Sequence, residues 1–214
     1  MITSLILSLS SALCPSITPM SNFNTTEYIR STWFVQEQQI NGYQTNNTLN
    51  CVAQTLNHSS YHVPFFDGPV LSVYNYANAD HVNGEPQNLN NNTLCARQIN
   101  SSLPSNILNG PCWIPNFLAG PYWVIDAGPS NNNYTWAIIS GGSPTVVYPD
   151  GNCSTSLHGI NGAGLWLVTR TNNIDAIGYY VTLMRERLRE LGYTVSQLEK
   201  VRQIGCNYTG AFLK

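Results

Sequence analysis

A chain of 214 residues, 43% of them hydrophobic, holds enough apolar material for one domain with a full core, which excludes a disordered chain. Only 9% of its residues are charged, against about 25% in an average globular protein, so Asn, Ser, Thr and Tyr carry its solubility. The formal net charge of -2 gives no electrostatic ground for expecting nucleic acid as a partner.

Ile2 to Leu13 is apolar and serine-rich, and no acidic residue appears before Glu27. It reads as a secretory apolar region without a basic flank. Ser10 and Ala12 are small enough for cleavage after Ala12, so residues 1–12 are expected to be a signal peptide and 13–214 the mature domain. The stretch is too short to span a bilayer.

No internal repeat or basic linker divides the rest. Trp33 to Gln39 predicts a strand, and Cys51 to Leu56 a second. Asp67-Gly68-Pro69 is a turn before a strand over Val70 to Tyr76. Asn78 to Asn92, rich in Asn and Gly, predicts a loop, and Leu94 to Ile99 a further strand. Ser102 to Pro111 carries turn residues. Tyr122 to Asp126 predicts a short strand that Gly128-Pro129-Ser130 turns into an antiparallel partner over Tyr134 to Ile139. Gly141-Gly142-Ser143-Pro144 ends that strand, and Leu165 to Thr169 is the last before a helix.

The helix is expected over Ile174 to Leu191. Ile174, Ile177, Val181, Met184, Leu188 and Leu191 step by three and four residues and form one apolar stripe. Asn172 or Asn173 can cap its start, and Gly192 can supply the left-handed residue after its end. Ser196 with Glu199 has the spacing of a brief capping box. Short strands at hairpin spacing imply an antiparallel meander, and closing it into a barrel removes exposed edges. The helix stripe would then lie on the barrel's outer wall.

The six cysteines (Cys14, Cys51, Cys95, Cys112, Cys153, Cys206) are even in number, widely spaced and without a C-x-x-C pair, which suits disulfides rather than zinc. Spacing alone leaves their connectivity open. Sequons start at Asn24, Asn46, Asn57, Asn91, Asn100, Asn133, Asn152 and Asn207. Together these features predict a secreted, disulfide-bonded glycoprotein. Six of the nine basic residues follow Asp175, but Glu186, Glu190 and Glu199 balance them as a solvated face, so no membrane association is expected beyond ligand exchange.

Several stretches, in order, resemble the lipocalin family, in particular its apolipoprotein D and bacterial lipocalin branch. They are Cys14-Pro15, Asn22-Phe23 and Trp33-Phe34, then Pro121 to Asp126, Tyr134 and Ala137-Ile138-Ile139, and finally Leu165 to Arg170, the helix, Val201-x-Gln203 and Cys206. The resemblance covers Cys14 to Cys206 and is weakest from His58 to Leu118. Two features depart from the family pattern. Ser31 replaces the glycine before the early tryptophan, and a longer loop over Asp126 to Tyr134 replaces the family's usual hairpin.

The resemblance implies an all-β fold: an eight-stranded antiparallel up-and-down barrel with one C-terminal α-helix packed on its outside. It implies that Trp33 packs across the barrel base and that Arg170 covers it, through cation–π attraction and bonds to open strand ends. It places Val35, Leu56, Tyr122, Val124, Ala137, Ile139, Trp166 and Val168 on the inward face, where they would touch a ligand. It also implies pairing of Cys14 with Cys153 and of Cys51 with Cys206, leaving Cys95 with Cys112.

The functional expectation is a secreted carrier of a small hydrophobic molecule, such as a lipid, fatty acid, sterol, pigment or retinoid-like compound, with no cofactor. Two alternatives are an enzyme of related fold, of de-epoxidase or isomerase type, and a surface glycoprotein with a solid barrel. No catalytic constellation supports an enzyme: Asp126 and Glu37 are the only acids in the predicted strands, and no Ser-His-Asp order is present. His58, His62, His81 and His158 are scattered through loop-like sequence, so no metal is expected.

Overall fold

A computed structural model describes residues 14–87, 93–158 and 161–214. The expected signal peptide and the sequon at Asn91 lie outside them.

Eight strands close into an antiparallel barrel: β1 Trp33–Gln39, β2 Asn50–His58, β3 Val70–Asn78, β4 Leu94–Gln98, β5 Asn106–Pro111, β6 Gly120–Ser130, β7 Asn133–Ser140 and β8 Leu165–Thr169. Each pairs with the next, and β8 returns to β1 through Phe34↔Thr169 and Gln38↔Trp166. Closure leaves no long unpaired edge. A one-turn helix, α1 (Thr25–Tyr28), precedes β1, with the Asn24 side chain accepting from the Glu27 N–H as its cap.

Three sequence expectations are corrected. Ser102 to Pro111 is not all turn: its second half is β5, despite the sequence Asn-Ile-Leu-Asn-Gly-Pro. Pairing on both sides, with Ile107 opposite Gln98 and Tyr122, overrides poor strand propensity, and Ile107 is fully buried. Gly110 suits the site because a Cβ there would lie 3.1 Å from Ile114 Cδ1, where the β5–β6 loop folds back on the strand.

The Gly128-Pro129-Ser130 turn is instead part of β6, and the loop is only Asn131-Asn132 between Ser130 and Asn133. Bulges at Val124/Asp126 and Gly128/Pro129 absorb the irregularity, and proline, with no N–H to give the ladder, is tolerated at such a bulge. Gly128 is needed because a Cβ would come within 2.6 Å of the Trp136 ring.

No capping box forms at Ser196. Leu198–Lys200 is a short strand along β1, pairing Gln39↔Leu198 and Glu37↔Lys200. It fills a split in the barrel, because β1 and β2 pair only at Trp33 and Phe34. Beyond it, Gln203 Nε2 donates to Val35 O at 2.6 Å and to Val52 O at 2.8 Å, stitching β1 to β2 across the gap.

The second helix, α2 (Ile174–Glu190), packs outside the barrel. Met184 and Leu188 are fully buried with Val181 and Leu191 beside them, against the outward residues Ile125, Ile138, Leu165 and Leu167. Gly192 follows in the left-handed region at φ 78°, and Tyr193 N donates to Leu188 O. Among the described residues, no helix is long and apolar enough to cross a membrane.

Three disulfides tie the domain together: Cys14–Cys153, Cys51–Cys206 and Cys95–Cys112. The first fixes the N-terminal arm, the second anchors the C-terminal segment to β2, and the third holds the β5–β6 loop to β4. Of the described sequon asparagines, Asn46, Asn100, Asn133 and Asn207 are exposed, while Asn24, Asn57 and Asn152 are half-buried.

Candidate functional site: a cavity above a sealed base

The barrel interior is filled at one end and hollow at the other. At the filled end Trp33 is fully buried and its indole N–H donates to Tyr28 O at 3.0 Å. Arg170 covers it, with Cζ 3.5 Å from the ring centroid. The guanidinium also donates to the carbonyls of Glu27 and Tyr28 at 2.8 Å each, and to those of Ser31, Thr32 and Tyr134. These are the open ends of α1 and of the strands, so one fork satisfies several otherwise orphaned acceptors. Burial pulls the Arg170 pKa down to about 9. Phe23 and Tyr134, with centroids 6.1 Å apart, complete the plug beside Tyr28.

Above this plug lies a cavity of about 890 Å³. Val35, Tyr122, Ile139, Trp166 and Val168 are among the residues that line it. Leu56, Val124 and Ala137 also face inward but do not line the cavity. They are buried in the same core as Trp33 and Tyr28. That core also holds the cavity-lining Val35, Tyr122, Ile139 and Val168, and Val124 lies opposite Ile139 and Ala137 opposite Val168, so alternation sets which face a residue takes but not whether its neighbours cover it.

Three polar side chains of the cavity, Tyr122, Gln54 and Asn75, run in one connected row that starts from Tyr28 below it. Tyr28 and Tyr122 share a hydroxyl–hydroxyl bond of 2.9 Å, Tyr122 donates to Gln54 Oε1, and Gln54 Nε2 donates to Asn75 Oδ1 at 2.8 Å. Burial drives the Tyr122 phenol well above its ordinary pKa, and the adjacent Tyr28 adds to this, so it remains a neutral hydroxyl. On β5, Asn109 lines the cavity with its side-chain oxygen shut off from solvent and without a protein partner. Gln54, Asn75 and Asn109 were missed by the sequence reading. A signal existed for two of them, because Gln54 lies at period two between Val52 and Leu56, and Asn75 between Val73 and Ala77. Asn109 has none, because Asn106-Ile107-Leu108-Asn109-Gly110-Pro111 carries no strand signal of its own.

The open end is rimmed by loops between β1 and β2 and between β5 and β6. Tyr43, Trp113 and Leu118 line the cavity yet remain 59%, 78% and 53% exposed, giving an apolar entrance.

The two acids proposed for chemistry lie elsewhere. Glu37 and Asp126 face α2 on the outer wall, bonded to Arg185 at 2.6 Å and Arg187 at 2.7 Å. The four histidines are exposed and none lines the cavity. All six cysteines are in disulfides. Among the described residues, no group of three His, Cys, Asp or Glu side chains is placed to hold a metal.

No protein-family model matches the chain, and no curated protein matches it in sequence. Solved structures do match in fold. The chain is similar to Per a 4, a major allergen from cockroaches, at 13% identity and a TM-score of 0.50, covering 91% of this chain and 98% of that one. It is also similar to insecticyanin from the tobacco hornworm Manduca sexta, at 11% identity and a TM-score of 0.53, covering 88% and 85%. At these identities the likeness establishes the fold, which is that of a lipocalin.

Proposed function

We propose that this protein is a secreted carrier that holds a small hydrophobic molecule in the open half of its barrel. The observation that carries the reading is the cavity of about 890 Å³ above a base sealed by Trp33 and Arg170. Small-molecule pockets span roughly 300–1,000 Å³ and combine apolar walls with a few fixed polar groups, and this cavity has both properties. Secretion is supported by the three disulfides, the sequons and the apolar stretch at residues 1–12, read as a signal peptide ahead of a mature domain over 13–214. The order of the motifs supports a tie to the apolipoprotein D branch.

The hollow interior argues against the solid-barrel glycoprotein. The outward position of Glu37 and Asp126 removes the acids on which the enzyme alternative depended.

The test is to express the full chain in a eukaryotic host, purify it with disulfides intact, and extract it with organic solvent. A co-purifying apolar compound, or saturable uptake from a broad hydrophobic panel, is the expected result. A folded protein that carries and takes up none of them overturns the proposal.

A further inference from the structure

One stretch of the cavity wall is not closed by the eight strands. Where β1 and β2 part beyond Trp33 and Phe34, residues 198–206 run between them as a strap. Val201 N donates to Gln36 O at 3.0 Å, Arg202 N donates to Leu49 O at 2.9 Å, and Cys51 N donates to Arg202 O at 2.9 Å. Val201 is buried in the same apolar core as Val35 and Val52. Those two valines supply the carbonyls that Gln203 holds, and both line the cavity. The strap therefore covers a gap that opens onto the cavity.

Two fastenings hold it. The Gln203 amide is fixed at both ends, because its oxygen accepts from the Tyr208 hydroxyl, and the Tyr208 ring packs 5.2 Å from that of Phe34. The Cys51–Cys206 disulfide is the covalent tie to β2. Cys51 is fully buried, whereas Cys206 is half-buried and partly open to solvent. Cys51 also sits in the left-handed region at φ 54°, where β2 shifts register between Asn50 and Ala53. That conformation costs a non-glycine residue free energy, and the strap and the disulfide sustain it.

Building on the carrier reading, we infer that the strap is a latched side wall of the cavity: reduction of Cys51–Cys206 by a dithiol opens it and weakens ligand retention, and a bound ligand in turn protects the bond. A thiolate of the dithiol attacks Cys206 Sγ, the S–S bond breaks, and Cys51 leaves as a thiolate. The second thiolate then displaces Cys206. Two electrons pass from dithiol to protein, the protons lost by the dithiol end on Cys51 and Cys206, and the dithiol ends as its own disulfide. Ligand and latch both favour the closed wall, so linkage requires their effects on each other to be equal.

The full chain with its disulfides intact is titrated with the neutral fluorescent probe N-phenylnaphthylamine and compared with Cys51→Ala/Cys206→Ala. The double variant should bind the probe ~10-fold more weakly. With probe saturating, the ratio of reduced to oxidised dithiothreitol that opens half of Cys51–Cys206 should rise by the same factor, read from thiols trapped with iodoacetamide and located by peptide mapping. Backbone hydrogen exchange in the variant should quicken at Cys51, Val201 and Arg202 but not at Ile138 or Val168, which separates an opened wall from a weakened barrel.

Gln203→Ala, with every disulfide in place, should shift probe affinity and exchange in the same direction, and it carries the test if the cysteine variant does not fold. Unchanged probe affinity in the folded variants overturns the coupling while leaving the carrier reading intact. Equal quickening of exchange across β7 and β8 overturns the local latch. Failure of the intact protein to bind the probe overturns the carrier reading and the coupling with it.

Discussion

Arg170 and Trp33 stand near opposite ends of the chain, yet the guanidinium lies 3.5 Å from the indole centroid and bonds the carbonyl of Tyr28, which also accepts the indole N–H. Tyr28 O is thus a shared acceptor, and the two side chains lock each other in place. Arg170→Ala should cost about 3 kcal/mol, because it removes the cation–π contact and leaves several buried carbonyls without donors. Arg170→Lys should recover only part, since an ammonium keeps the charge but lacks the planar fork. Urea midpoints for the three proteins check this; a lysine variant as stable as the parent would make the fork irrelevant.

The division of the barrel into plug and cavity predicts opposite behaviour for two inward residues. Leu56→Ala should lower stability by about 3 kcal/mol and leave the affinity for the neutral fluorescent probe N-phenylnaphthylamine nearly unchanged, because Leu56 is buried and does not line the cavity. Trp166→Ala should weaken N-phenylnaphthylamine binding by about 10-fold, because the ring lines the cavity and stacks on Tyr122 at 6.5 Å. Denaturation and fluorescence titration on both variants read the crossed pattern. Equal effects on binding would mean that the cavity extends to the base.

The two ion pairs between barrel and helix differ in burial, and their deletions should differ accordingly. The Glu37 side chain is 4% exposed and that of Arg185 30%, whereas Asp126 and Arg187 are 23% and 46% exposed. Glu37→Gln should cost about 2 kcal/mol and Asp126→Asn no more than about 0.5 kcal/mol. Neither should alter probe binding, since both acids lie outside the barrel. Turnover or binding lost in either variant without loss of stability would reopen the enzyme alternative.

Alkaline pH should loosen the base. Burial raises the pKa of Tyr28 and Tyr122 above the ordinary phenol range and pushes Tyr193 up to about 12. An unfolded tyrosine ionises near pH ~10, so above that pH the unfolded chain binds fewer protons than the folded one. The stability these hydroxyls hold is therefore fully present below about pH 10 and is lost as the pH climbs toward their folded values. Tyrosinate absorbance and circular dichroism followed together should show these three ionising only as the barrel unfolds. Their ionisation in a fully folded protein would contradict the burial seen here.

The ends of the barrel were legible in the sequence because their residues carry their instructions locally. β1 and β8 begin and end where the apolar runs from Trp33 and Leu165 predict, and α2 where its stripe predicts. β5 was not legible, since Asn106, Asn109 and Gly110 disfavour a strand and only pairing with β4 and β6 makes one. The strand formed by Leu198–Lys200 was hidden for the same reason, because it exists only where β1 and β2 part. In the site, alternation separates inside from outside but does not say which inward residues their neighbours cover, as they cover Leu56, Val124 and Ala137. The polar row escaped notice because Gln54 and Asn75 are ordinary residues until the barrel brings Tyr122 across to meet them.

The stitch by Gln203 sets an order in time. Its amide joins Val35 to Val52, two positions made long before it as the chain is synthesised. Until residue 203 has emerged, the seam between β1 and β2 can be held only at Trp33 and Phe34, so nascent chains would expose their cavity-lining residues through an open side. Completion of the cavity wall thus waits on residue 203, and a chain not yet extended that far would present a vessel with a gap in its side.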